Sequence, residues 1–344
     1  MSPALRTNVE RAIGAAALVL AAAGPAVFND YWVSFILTQT FLIGIAAASL
    51  IFLSAYGGMV SLAQVALYGI AGFALGNMVT TEGKGLTLGW DPWLSVVLAI
   101  LITTAIGLVF GALASRSAGI YFLMITLTYA VIANYFFGQV TLVSGFSGIS
   151  GIDLHAPALV GADEESPNRL YYAALIVAVA VYALIRFVLR TPFGVALQGV
   201  RDEPVRMASL GYTVPLHRTL AFGFAAFIAS LAGILYVWWN GQIDPATIGL
   251  QGTVDLLVVA VLGGLLRIEG AWLGAFAFIV INNYVRDVEL PLVGGSFNTI
   301  IGLIFLAIVV VSPNGLMGIW ERATSGVSRR RGPAAPAPAG SGGQ

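Results

Sequence analysis

Long apolar stretches recur along this chain, separated by short connections that hold most of its charged residues. A helix needs about 20 predominantly apolar residues to cross a bilayer. Reading the stretches with their breakers predicts ten spans, over 12–28, 33–54, 62–80, 92–114, 119–138, 169–189, 217–238, 254–266, 271–286 and 297–313. The third, eighth and ninth are short or Gly-rich, so broken or tilted helices are expected there. The fold class is all-α polytopic membrane protein. A β-barrel would instead show short alternating segments. One sizeable charged island lies inside this pattern, residues 190–218, RTPFGVALQGVRDEPVRMASLGYTVPLHR.

Composition agrees with the pattern. The 344 residues are 58% hydrophobic and 9% charged, with mean hydropathy +0.91. A soluble domain carries about 25% charged residues, enough to cover a water-facing surface. The net charge is zero, and no nucleic-acid partner is expected. The chain has no cysteine, which removes disulfides, iron–sulfur clusters and thiol catalysis. Two distant histidines, His155 and His217, do not make a metal site.

Charge in the connections sets an orientation. With both termini in the cytoplasm, Arg6, Arg11, Arg116, Arg186, Arg190, Arg201, Arg206, Arg218, Arg267, Arg322, Arg329, Arg330 and Arg331 fall inside, 13 of the 16 basic residues. Lys84, Arg169 and Arg286 fall outside. A wrong span count would scramble that partition. Residues 1–11 then form a cytoplasmic N-terminus and 321–344 a disordered cytoplasmic tail, Pro/Ala/Gly-rich and basic from Arg329 on. The stretch 12–28, behind Arg6 and Arg11, also fits a cleavable signal peptide. An uncleaved span is the expectation taken forward.

Five segments carry chemistry. In the 190–218 loop, Thr191-Pro192 ends one helix, and Asp202 or Glu203 can cap a short new one with Pro204 in its first turn. Gly211 fits its C′ position. Met207 and Leu210 then share a face, suited to a groove on a soluble partner. The bland alternative is a connector held to anionic lipid by arginines.

Gly57-Gly58 before Ser61 and Gln64 permits a backbone break at membrane depth, tolerated where it lines a cavity or is buried in protein. Gln64 either meets a polar solute or bonds a neighbouring helix. Thr126 and Thr128 follow a boundary at Arg116, and such threonines more often bond back to their own helix. The Gly145–Gly151 run reads as a gate, a binding loop or a plain connector. It lacks the Gly-Lys-Ser/Thr ending of a phosphate loop. Asp255, at one end of a short span, is either a pathway residue or an interfacial acid. No catalytic constellation and no buried proton relay emerge, so neither an enzyme nor a metal site is expected.

These segments resemble, in order, the LivM-type permease of bacterial branched-chain amino acid ABC importers. The blocks are GGMVSLAQVALYGIAGFALG (57–76), RSAGIYFLMITLTYA (116–130), TLVSGFSGISGI (141–152), FGVALQGVRDEPVRMASLG (193–211), VAVLGGLLRIEGAWLGA (259–275) and SPNGLMGIW (312–320). Met59 and Ala63 depart from the family's usual Gln and Gly, which bears on the solute. Leu266-Arg267-Ile268-Glu269 departs from a smaller, less charged turn.

The resemblance implies a transmembrane permease domain over 12–320 in the bacterial inner membrane, with 190–218 as its cytoplasmic coupling loop. It implies two cytoplasmic ATP-binding subunits, a sister permease of LivH type and a periplasmic substrate-binding protein, besides membrane lipid. No cofactor is expected in this chain, ATP being bound by the partners. Arg201, Glu203, Met207, Ala208, Leu210 and Gly211 are expected at the ATPase contact. Ser61, Gln64, Thr126 and Asp255 are the candidates for the translocation pathway. The expected solute is a branched-chain or related amino acid. Urea, a short amide, an aromatic acid or a sugar is the alternative within the superfamily, and an ion-coupled secondary transporter lies outside it.

Overall fold

A computed structural model describes residues 19–81, 85–144, 147–157, 168–285, 302, 306 and 315–318. The helices are α1 (Gly24–Val27), α2 (Thr38–Gly57), α3 (Gln64–Val79), α4 (Pro92–Ala114), α5 (Ile120–Gln139), α6 (Thr141–Ser144), α7 (Arg169–Arg190), α8 (Pro192–Asp202), α9 (Pro204–Ser209), α10 (Val214–Asn240), α11 (Leu250–Gly263) and α12 (Gly270–Val285). A π-helical turn, Trp32–Leu37, leads directly into α2. Two two-residue strands, β1 (Ile149–Ser150) and β2 (Gln242–Ile243), pair antiparallel.

Five helices among the described residues are long and apolar enough to cross a membrane: Trp32–Gly57, Pro92–Ala114, Ile120–Gln139, Arg169–Arg190 and Val214–Asn240. Three shorter apolar helices, Gln64–Val79, Leu250–Gly263 and Gly270–Tyr284, accompany them. The tenth expected span lies outside the described residues apart from Gly302 and Leu306, as do residues 1–11 and the tail 321–344.

Three boundaries differ from the sequence expectation, each for a local reason. The stretch 62–80 becomes helical only at Gln64, because Gly58 ends α2 in a left-handed conformation (φ 65°) and residues 59–63 are irregular. The stretch 254–266 is displaced to 250–263, since Gly264 (φ 112°, ψ 116°) cannot continue a helix. The stretch 217–238 extends to 214–240, because Pro215 sits in the first helical turn, where its missing N–H costs nothing.

The core is built on α2 and α10. α10 packs on α4, α3 and α2, and α12 packs on α2. Small residues let the backbones approach, as membrane interfaces favour. Gly233 of α10 lies against the Tyr68 carbonyl of α3, and Gly107 of α4 against Ala226 of α10. Around this centre α4, α5 and α7 expose apolar side chains, among them Leu101, Val109, Ile132 and Ile176. In water such a surface would be untenable, and in a bilayer it is the expected one.

The connections gather at two ends. At one end Arg201 donates to the Ala55 carbonyl, Arg186 pairs with Glu269 at 3.3 Å, and Arg218 lies 3.5 Å from the carbonyls of Ser115 and Ser117. At the other, β1 pairs with β2 and Asn134 donates to the Pro245 carbonyl at 2.8 Å. Asn77 also donates to the Val143 carbonyl there, at 2.6 Å. The Gly-rich segment is therefore fastened at Ile149 and Ser150 to the start of the 241–249 connection.

Candidate functional site

The first site is the break between α2 and α3. Leaving a helix at depth frees backbone N–H groups that lipid cannot satisfy. Here side chains take them. The Leu62 N–H donates to Thr126 Oγ1 at 3.1 Å, and the Ala63 N–H donates to Ser61 Oγ at 3.2 Å. Gln64 spans the gap: Nε2 lies 3.4 Å from Ser61 Oγ, and Oε1 accepts from Ser49 Oγ at 3.0 Å. Ser49, Ser61, Gln64 and Thr126 are all fully buried. Three of the expected pathway residues thus come together, and in this conformation their polar atoms face one another. Ser49 was not legible in the sequence. Its pairing with Gln64 depends on α2 and α3 lying side by side, and nothing in the local pattern around Ser49 announces it.

Thr126→Val should leave the partly buried Leu62 N–H without an acceptor. The expected cost is about 1–3 kcal/mol, the usual penalty for an orphaned buried donor. It is read as a lower thermal midpoint in detergent, with Thr126→Ser close to wild type. An unchanged midpoint in Thr126→Val would show that the bond carries no stability.

The second site is the 190–218 loop. The sequence predicts one short helix there, and the structure has two. Thr191 caps α8, its Oγ1 accepting from the Gly194 N–H at 3.4 Å, and Leu197 and Val200 bury its inner face. The chain kinks at Glu203 (φ −142°, ψ 71°) because Pro204 disfavours helical backbone in the residue before it. Glu203 occupies the N-cap position of α9 but makes no side-chain cap bond, so it does not cap as expected.

Gly211 has φ 91°. Its N–H donates to the Ala208 carbonyl at 3.0 Å, and the Tyr212 N–H donates to the Met207 carbonyl at 3.1 Å. That pair of bonds is a Schellman closure, which asks for Gly at C′.

Three placements refine the expected contact set. Met207 turns inward onto Gly199 of α8 instead of sharing an outer face with Leu210. Val205 and Leu210 are the outward apolar groups, 81% and 65% exposed. The kink at Glu203 resets the helical phase, and a single-helix reading therefore missed Val205. Ala208 is exposed on α9.

Arg201, expected at the outer contact, reaches inward. Its guanidinium donates to the Ala55 carbonyl at the end of α2, its stem lies over Gly58, and its Nε donates to Asp202 at 2.7 Å. That hydrogen bond holds the exposed Asp202 carboxyl below its ordinary range. The loop is thus tied to the residues that open the α2–α3 break.

Asp255 stands apart from both sites. It is half-buried on α11, and its Oδ1 accepts from Gln251 Nε2 at 2.9 Å. Among the described residues, no group of three or more His, Cys, Asp or Glu could hold a metal ion.

The family described as the branched-chain amino acid transport system permease component matches residues 32–312. The chain belongs to that family. The permease is therefore a component of a transport system and not an enzyme. It is 25% identical over 296 residues to the high-affinity branched-chain amino acid transport system permease protein LivM of Salmonella typhimurium, covering 79% of this chain and 68% of that one. It is 24% identical over 298 residues to the probable LivM of Methanocaldococcus jannaschii, covering 80% and 84%. It is also 25% identical over 279 residues to the autoinducer 2 import system permease protein LsrC of Yersinia enterocolitica, covering 79% and 74%. No solved structure matches the permease.

Proposed function

We propose that this permease is the membrane-spanning subunit of an ATP-driven importer that carries branched-chain amino acids. The observation that carries the reading is the α8–α9 loop. It presents Val205 and Leu210 outward while Arg201 fastens it to the end of α2. A lipid-anchored connector needs no such tie to the core. A docking element that must move the core does.

In this reading two cytoplasmic ATP-binding subunits hold α9. A sister permease completes the pathway, and a periplasmic binding protein delivers the solute. The chain crosses the inner membrane ten times with both termini inside, and it binds no cofactor itself. ATP-driven closure of the partners shifts the loop and rocks the bundle between outward and inward access. LivM-like relatives favour an amino acid. The likeness to LsrC, and to the fructose import permease protein FrcC of Rhizobium meliloti, supports a second reading, in which the solute is a sugar.

Reconstitution separates this class from a self-sufficient carrier. The chain alone in proteoliposomes, given an ion gradient and labelled L-leucine, is expected to accumulate nothing above background. With its ATPases, sister permease, binding protein and ATP, it should take up leucine. Uptake by the chain alone would refute the subunit reading.

A further inference from the structure

The contacts of α5 and α11 set Asp255 near the mid-height of α5. α5 supplies the scale, because two of its side chains mark levels on neighbouring segments. Thr126 accepts from the Leu62 N–H, and Asn134 donates to the Pro245 carbonyl and lies beside Gly249. At about 1.5 Å per residue, those levels are roughly 9 Å and 21 Å along α5 from Ile120. α11 starts at the upper level, immediately after Gly249. It then descends, since Gly252 packs on Val65 at the beginning of α3. Asp255, six residues past Gly249, comes to about 12 Å on the same scale, near the middle of the roughly 30 Å helix.

Thus α11, 14 residues long, begins about 9 Å short of the far end of α5. Its carboxylate is level with the α2–α3 break and with the exposed Thr128 of α5. Among the described residues no other Asp or Glu lies within a membrane-depth apolar helix.

A carboxylate at that depth is costly in lipid, and such groups face a water-filled path or a partner. The core of this chain gives Asp255 a single hydrogen bond, from Gln251 to Oδ1. Gln251 is exposed, and Leu250 and Val254 beside it are 60% and 44% exposed. The outer face of α11 therefore combines an oriented carboxylate with aliphatic surface. An α-amino acid with an apolar side chain carries the complementary pair, an ammonium and an aliphatic chain. A sugar offers neither.

We propose that Asp255 receives the ammonium of the solute in the translocation path, with Gln251 as the positioning residue and Leu250 and Val254 against the side chain. The assignment rests on the amino acid importer reading and names the group that would make the pathway selective. Gln251 holds one carboxylate oxygen, leaving the other to the solute. Thr128, exposed at the same level on the neighbouring helix, adds a hydroxyl to that band.

The test uses the reconstituted complex with labelled L-leucine. Asp255→Asn, nearly isosteric, should lower uptake about tenfold or more, because removing one partner of a desolvated charge pair weakens binding strongly. Asp255→Glu should recover much of it, and both variants should co-purify with the partner subunits. Because the chain has no native cysteine, Asp255→Cys supplies a single thiol in this subunit. It should react with a water-soluble cationic thiol reagent, and saturating leucine with binding protein should slow that reaction.

No leucine uptake by the wild-type complex would overturn the importer reading and this assignment with it. Wild-type uptake matched by Asp255→Asn would overturn the assignment alone. So would an Asp255→Cys thiol inert to the aqueous reagent, which would place the residue against lipid.

Discussion

Leu210→Asp and Gly211→Val are expected to abolish leucine uptake and release the ATP-binding subunits, while the permease still inserts and folds. Leu210 is 65% exposed and supports nothing in the core, so a carboxylate there disturbs only what docks on it. Removing an apolar anchor from a small interface costs about 1–3 kcal/mol, and an unpaired charge in the groove adds to that. Gly211 acts differently. A Cβ there meets no atom within 4 Å, so its constraint is conformational. The φ of 91° strains any L-residue, and a β-branched one most. Valine should open the Schellman closure and turn the chain away from its path into α10. Co-purification of the ATPase with each variant, alongside uptake, checks both. If both variants assemble and transport normally, the loop is a lipid-facing connector and the coupling reading fails.

Gly233→Val should prevent accumulation of folded permease altogether. A Cβ at Gly233 would run into the Tyr68 carbonyl, and the obstacle is backbone, which cannot rotate away. Overpacking of a core commonly costs about 1–3 kcal/mol. Here α10 and α3 must separate along their length, and α10 also carries the contacts to α4 and α2. Gly138 of α5 is the control, since a Cβ there meets nothing within 4 Å. Gly138→Val should give a normal yield and a monodisperse peak in detergent, and Gly233→Val should give neither. Equal yields would mean that the α3–α10 contact does not limit folding.

Much of this protein was legible in its sequence because the bilayer demands it residue by residue. A helix crossing lipid must be apolar along its length, so the stretches around 33–54, 92–114, 119–138 and 169–189 announced themselves as spans. The sites were legible only in part. Ser61 and Gln64 were recognisable as polar residues beside helix breakers, and Thr126 as a hydroxyl following the boundary at Arg116. Gly211 was recognisable because a left-handed C′ position needs glycine. Val205 was missed, because the bend at Glu203 changes which side of the loop faces out.

The sequence by itself determined the membrane class, the apolar spans and the gathering of basic connections at one end. Those follow from local composition and the cost of burying charge. Tertiary structure alone decided that Ser49 meets Gln64 and that Arg201 grips the end of α2. Each of these depends on how far one helix slides along another. That offset is set by where small residues such as Gly233, Gly107 and Gly252 let backbones and side chains meet. Hydropathy is blind to it, because Gly, Ala, Leu and Val at such a contact all read as apolar.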